Sequence, residues 1–488
     1  MADRPVTFVL VLVAIVGSCR CHRTAEVRSE TPARADASGA FYILPYVQNV
    51  TETGVTVLWW TEGVATPSRV EYGDGFLQHA AGVTEDVRSV GKTLHTAAIA
   101  GLRPGTTCAY RVRHGEATSP ESTFRTAVQR SEGFRFVVLG DGRTDNDEVI
   151  ARHRTVTQLA LSRAPAFAVH NGDMVATGEQ DNWDRFWRRV VTPSDPSRPG
   201  VPFATSIPYY LVLGNHELLE GISLHNFGFG SGNIDTAAAR FQAYVDVPRN
   251  GSSTPRWEER YYSFRYGAAS FIVLDTNNTS DDALDNHDYL PDGSTPDWEP
   301  GSEQHGWLVR QLEEANRTSV FTFVLMHPSP YSRGDHGDPD DGQSGWHVRA
   351  LDPLFRQHGV DAVISSHDHL AERCLTGPPG FEARMDPADP ANLNYLVTGN
   401  AGHSTRREAR GWTEWMDVRD DDSAPFYSVY FYDWPRSEHT SLIEVDIEPT
   451  SPPGRWRAVF RLVRDDGAIF DQYSIERDDP VPPPTPRS

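Results

Sequence analysis

Six side chains in this sequence have the types and settings of metal ligands: Asp141 in "VVLGDGR", Asp173 in "VHNGDMV", Asn215 in "VLGNHE", His327 in "FVLMHPS", and His367 and His369 in "VISSHDHLAERC". Each stands just after an apolar run. Carboxylate, carboxamide and imidazole donors delivered together suit divalent or trivalent first-row cations. One such residue alone is more often a cap or a satisfied core group. Five segments ending alike, with further ionisable groups alongside in Arg143, His216 and Glu217, make a specific signal.

The elements that must position these groups follow from pattern. "FRFVVLGD", "AFAVHNGD", "PYYLVLGNHE", "VFTFVLMHPSP" and "VDAVISS" read as buried strands. "EVIARHRTVTQLALSR", "WDRFWRRVV", "SEQHGWLVRQLEEANR" and "LDPLFRQHG" read as helical, and "YYSFRYGAASFIVLDTN" as a hairpin. Strands alternating with helices predict an α/β domain, placed here at residues 128–478. Open α/β sheets build their sites beyond the carboxyl ends of strands. Residues 41–127 are different: "GVTVLWWTEG", "TPSRVEYGDG" and "HTAAIAGLRPGTTCAYRVRHGE" predict short strands of an all-β sandwich of about 90 residues.

The 488 residues include 45 Lys+Arg against 67 Asp+Glu, a net charge of −22. That balance excludes a broad nucleic-acid-binding surface. It leaves an anionic substrate open, because local cations decide that. Residues 1–40 read as a leader and polar linker, and 479–488 as a proline-rich tail. The apolar run Val6 to Gly17 is short for a bilayer span and predicts an export signal. "VGSC" ending at Cys19 resembles a bacterial lipobox, which implies a lipid anchor at the membrane; a plain secretory signal is the alternative. Four cysteines in so long a chain make no disulfide framework.

The motifs resemble those of the calcineurin-like metallophosphoesterases, and within them the purple acid phosphatases. "LGDGR", "NGDMV", "LGNHE", "VLMH" and "SHDH" stand in the order of that family's GD, GDxx, GNH(D/E), VxxH and GHxH motifs. "HDHLAER", "VLMHPSPYS" and "YLVTGNAG" extend the likeness, and the all-β segment is similar to a fibronectin type III domain, with Trp59 as its core tryptophan. The resemblance implies a phosphate ester hydrolase with two metal ions, drawn from iron, zinc, manganese or magnesium. Asp173 would bridge them, Asn215, His327 and His367 would complete one site, and Asp141 and His369 would hold the other. Such ions sit about 3.5–4 Å apart and activate a hydroxide for attack on the ester. His216 would hold the phosphate or protonate the leaving alkoxide. Glu217 would stand behind the ligands, orienting an imidazole.

Three positions depart from the pattern. Ala176 stands where the purple enzymes have a metal-binding tyrosine, Arg143 where many relatives have a histidine, and Ser366 where they have glycine. Two roles are open to Arg143: a fork on the substrate phosphate, or a salt bridge to a carboxylate such as Asp145. His336 is read as a loop residue with a second reading in the substrate pocket, His170 as a buried support of the ligands, and His403 as a packing or capping group with a second reading facing the site. Cys108 replaces the tyrosine of the sandwich's corner motif. The thinned Asp141/His369 site keeps two alternatives open: a one-metal phosphoesterase, or a non-catalytic phosphate-binding or adhesion module. The sequence fixes neither the oligomeric state nor which ester is cleaved.

Overall fold

The computed structural model describes residues 40–62, 67–87, 91–192, 200–219, 234–277, 295–332, 334–337, 344–378, 386–403, 412–418, 426–430, 439–451 and 453–480. The leader with Cys19, the polar linker and the end of the proline-rich tail lie outside the described residues.

Among the described residues, Phe41–Gln48, Val55–Thr61, Lys92–Ile99 and Val83–Val87 form one antiparallel sheet of the sandwich. Gln78–Ala81, Ser68–Tyr72, Thr107–His114, Ala117–Thr118 and Ser122–Arg125 form the other. Neighbouring residues of a strand point to opposite faces, and "WW" uses both. Trp59 stacks on His95 inside the sandwich, with centroids 5.3 Å apart. Trp60 turns outward onto Tyr244 of the α/β part, at 4.6 Å.

That outward face is an interface, so the sandwich is no loose appendage. Tyr46 stacks on Trp187 at 4.0 Å, its hydroxyl donates to Tyr244 O at 3.0 Å, and Trp60 Nε1 donates to the same hydroxyl at 3.2 Å. The Asp184 carboxylate accepts from the hydroxyls of Tyr42 and Tyr244. Cys108 and Cys374 are buried free thiols. Two residues beyond Cys108, Tyr110 donates to Thr205 O at 2.7 Å, bonding outward to the neighbouring part instead of closing a corner. One apolar core runs from Phe41 through Trp183, Phe186 and Trp187 to Ile475.

The α/β part has two facing sheets. In one, Phe134–Leu139, Phe167–Asn171 and Tyr209–Val212 run parallel, and the antiparallel strands Ser441–Pro449, Arg455–Arg464 and Ile469–Asp478 extend it. In the other, Ala269–Val273, Phe321–Leu325, Ala362–Ser365 and Leu393–Thr398 run parallel. Rings from both sheets fill the space between: Phe136 stacks on Phe167 at 5.4 Å and meets Phe271 edge-on at 5.0 Å. The helices Asp147–Ser162, Gln180–Val191 and Glu303–Thr318 lie where the sequence places them. With both sheets parallel at their centres, the carboxyl ends of Phe134–Leu139, Phe167–Asn171 and Tyr209–Val212 open at the same place as those of Phe321–Leu325 and Ala362–Ser365.

Because Tyr46 packs and hydrogen-bonds across the interface, Tyr46→Ala should cost about 3–5 kcal/mol. Thermal unfolding followed by probes in each part should still show a single transition at a lower midpoint. Two separated transitions in the parent protein would contradict the shared core.

Candidate metal centre

Three of the ligand candidates leave their strands through left-handed turns. Asp141, Asp173 and His367 have φ of 58°, 55° and 72°. Non-glycine residues rarely adopt this region, though Asp, Asn and His do so more readily than most. The turns fold each side chain back over its strand end. Gly172, at φ 90°, admits the next sheet: a Cβ there would come within 2.2 Å of His327 Nδ1.

The donors converge. Ligand atoms of Asp173, His327 and His367, all buried, lie within 4.8 Å of one another. His327 Nδ1 donates to Asn171 O at 2.8 Å, so its Nε2 is the nitrogen turned to the site. That nitrogen lies 3.1 Å from Asp173 Oδ1, 3.0 Å from Asn215 Oδ1 and 3.2 Å from His367 Nδ1. Beside this group, His369 Nε2 is 3.3 Å from Asp141 Oδ1, an oxygen buried without a hydrogen bond. His367 N donates to Asp141 Oδ2 at 2.9 Å, joining the two halves.

The electrostatics call for positive charge. Burial opposes a charge on His327, yet Asp173 and Asp141 outweigh it and raise the imidazole to about 9. Burial, with Asp173 close by, pushes the Asp141 carboxyl well above its ordinary value, despite the opposing pull of His327. Buried carboxylate, amide and imidazole groups gathered in this way, with an Asp141 oxygen that has no hydrogen bond, are what a bound cation satisfies. The residues present therefore fit a metal.

Two polar groups behind the ligands hold the turns. Asn171 Nδ2 donates to Met326 O and Ile364 O at 2.8 and 3.1 Å, stapling the two sheets beside the site. The buried Glu217 carboxylate accepts from Asp173 N, Met174 N, Val175 N and Gly214 N at 2.7–3.1 Å. It thus supports two ligand loops through their backbone, not an imidazole as the sequence reading expects. Burial and the nearby Asp173 push its carboxyl up to about 7, against these amide donors.

Three other residues sit differently from what their sequence context predicts. His336 is no solvated loop residue: it is 4% exposed and its ring stacks on His367 at 4.1 Å. Its backbone N–H donates to Asp368 Oδ1 at 3.1 Å, which shows where the carboxylate between the paired histidines turns. His170 does not support a ligand. Strand alternation sends its ring among His153, Phe186 and Tyr209, and neither ring nitrogen has a hydrogen-bond partner. Ser366 needs no left-handed backbone, since that falls on His367. The serine fits because Gly140 lies opposite, where a Cβ would come 2.0 Å from Ser366 Oγ.

Arg143 combines its two open roles. Its Nη2 is 3.3 Å from Asp145 Oδ2, while Nη1 contacts His216 Nε2 and lies 3.8 Å from Asp173 Oδ2. His216 Nδ1 donates to the carbonyl of Ala176 at 2.6 Å. His403, read from sequence as packing, stacks on His369 at 4.4 Å and places Nε2 2.9 Å from Arg143 Nε and 2.8 Å from Asp145 Oδ2. Burial alone would raise Asp145, but the bond from His403 and the charge of Arg143 bring it down to about 2. The sequence offers Asp145 as a partner of Arg143, but only the spatial placement reveals that His403 joins them.

Glu217→Gln replaces two acceptor oxygens by one and turns an amide against backbone N–H groups. It should cost about 1–3 kcal/mol in melting experiments and weaken metal binding by about 10–100-fold in titrations. Unchanged stability and affinity would refute the supporting role.

Residues 134–371 match the calcineurin-like phosphoesterase family, and residues 43–126 match the purple acid phosphatase N-terminal domain. The uncharacterized protein Rv2577 of Mycobacterium tuberculosis is 28% identical over 385 residues, covering 72% of this chain and 67% of that one. Acid phosphatase type 7 of Homo sapiens is 26% identical over 385 residues, covering 73% and 76%. Among solved structures, purple acid phosphatase PPD1 from yellow lupin seeds superposes with a TM-score of 0.66 at 18% identity, covering 92% of this chain and 78% of that one. PhoD superposes with a TM-score of 0.59 at 14% identity, covering 92% of each. At those identities the structures establish the fold. Residues 134–371 thus form a domain of the calcineurin-like phosphoesterase family, preceded at residues 43–126 by a domain of the purple acid phosphatase N-terminal type.

Proposed function

We propose that this protein hydrolyses phosphate esters at a metal centre held by Asp173, Asn215, His327 and His367, with Asp141 and His369 holding a second ion beside it. The observation that supports the reading most is the convergence of three buried ligand atoms within 4.8 Å, next to an Asp141 oxygen that lacks a donor. Bound cations supply Lewis-acid polarisation of the phosphoryl oxygens and acidify water for attack.

The chain's own groups do the rest. Asn171 fixes the tautomer of His327, and Glu217 fixes the loops carrying Asp173 and Asn215. The Ala176 carbonyl orients His216, whose Nε2 faces the site 3.6 Å from Asp173 Oδ2. Burial and the adjacent Arg143 lower this imidazole to about 4, so a proton on Nε2, to hold the phosphate or pass to the leaving alkoxide, would have to arrive with the anionic substrate. His336 forms a wall over His367. With Ala176 in place of a phenol, iron-loaded protein should lack the phenolate colour of the purple enzymes. One observation favours a single-ion variant of the same reading: among the described residues the Asp141/His369 side shows no fourth protein ligand, and Arg143 is already near Asp173. Export, with Cys19 lipidated, is proposed from the leader sequence alone.

Turnover of a panel of phosphomonoesters and diesters, after chelation and reloading with iron, zinc, manganese or magnesium, tests the function. Activity should vanish with chelation and return with metal, and elemental analysis should give two ions per chain, or one for the variant. His216→Ala should lower kcat by about 10²–10⁴-fold with metal content intact. His327→Ala should lose metal as well. Metal-loaded protein that cleaves nothing would leave only the phosphate-binding or adhesion module.

A further inference from the structure

The site motifs leave a three-residue cluster without a task. Arg143 is 5% exposed, and each edge of its guanidinium faces something different. On one side, Nε and Nη2 lie 2.9 and 3.5 Å from the ring nitrogens of His403, and Nη2 lies 3.3 Å from Asp145. On the other, Nη1 reaches His216 Nε2 and approaches Asp173, one of the metal-ligand candidates. A residue whose only task was an ion pair with Asp145 would not need to span this width.

The backbone beneath is fixed as well. Buried Arg189 donates to Gly142 O at 2.9 Å and to Arg143 O at 3.5 Å. Thr144 Oγ1 donates to Asn182 Oδ1 at 2.8 Å and accepts from Ala176 N at 3.1 Å. His403 is held by its stack on His369. The guanidinium is thus anchored from the loop, from a carboxylate and from an imidazole that itself rests on a ligand candidate. A planar fork held ready in this way suits a tetrahedral oxyanion, and holding it beforehand removes the ordering cost at binding.

We propose that Asp145 and His403 are positioning residues that hold Arg143 over the metal centre, so that its Nη1 edge takes a non-bridging oxygen of the substrate phosphoryl group. On substrate entry Nη1 exchanges its contact with His216 Nε2 for that oxygen. The proposal rests on the phosphoesterase reading.

The test uses the full-length, metal-loaded protein, inorganic phosphate as probe and calorimetric titration as readout, with elemental analysis of each variant. Arg143→Ala should weaken phosphate binding by about 10–100-fold at unchanged metal content. Arg143→Lys, which retains charge and is the milder change for folding, should recover only part of this, because an ammonium cannot span both sides. Asp145→Asn and His403→Ala should each weaken binding by about threefold or more in the parent, and add nothing once Arg143 is alanine. That lost additivity is a result a merely structural role would not give. Parent-like phosphate affinity in metal-replete Arg143→Ala, or undiminished effects of Asp145→Asn and His403→Ala in that background, overturns the proposal. If the parent turns over esters while Arg143→Ala binds phosphate normally, only the clamp falls. If the loaded parent neither binds phosphate nor cleaves esters, the phosphoesterase reading falls with it.

Discussion

Carboxylates, an amide and imidazoles crowded into one buried place are the constraint on which this molecule is organised. Asp173 Oδ1, Asn215 Oδ1 and His367 Nδ1 all lie within 3.2 Å of His327 Nε2, in a place sealed from water. Polar and ionisable groups gathered this closely are costly to bury without positive charge among them, so the surrounding chain must hold them in place. The two aspartates show the tension. Burial raises both carboxyls, but His216 and His327 bring Asp173 well below its ordinary value, while Asp141 stays well above its own. A site so balanced has a strong preference for positive charge and a low tolerance for displaced ligands.

The scaffold supplies the required stiffness at several depths. Nearest are the Glu217 carboxylate and the Asn171 amide, which tie backbone to backbone around the site. Behind them the Phe136, Phe167, Phe271 and Phe323 rings lock the two sheets face to face. Further back, Trp187 of the helix Gln180–Val191 lies under Tyr46 while Arg189 of the same helix donates to Gly142 O, so the sandwich backs the loop that follows Asp141. Each layer is close-packed, and such packing resists the ångström-scale shifts that would spoil a metal site.

Much of this was legible in the sequence, for a physical reason. Buried strands are written as continuous apolar runs, and polar residues at their ends mark where the carboxyl edges open. The ligand candidates could therefore be named before their convergence was seen. Strand alternation likewise turns His170 away from the site, because Asn171 faces the opposite sheet. What could not be read depends on contacts between distant segments. Arg143 and His403 are separated by 260 positions, and no local pattern records that they meet. The stack of His336 on His367 and the four-amide grip of Glu217 are of the same kind. So is the sharing of one core between sandwich and α/β part, since Tyr46 and Trp60 look like ordinary interior aromatics of the first domain.

The left-handed turns at Asp141, Asp173 and His367 carry an evolutionary corollary. Asparagine accepts that backbone as readily as the residues it would replace there. A single exchange at any of the three would remove a charge or an imidazole while leaving the turn, the sheets and the core as they are. Descendants with an intact architecture and a silent centre therefore lie one mutational step away, and the fold itself raises no barrier against them.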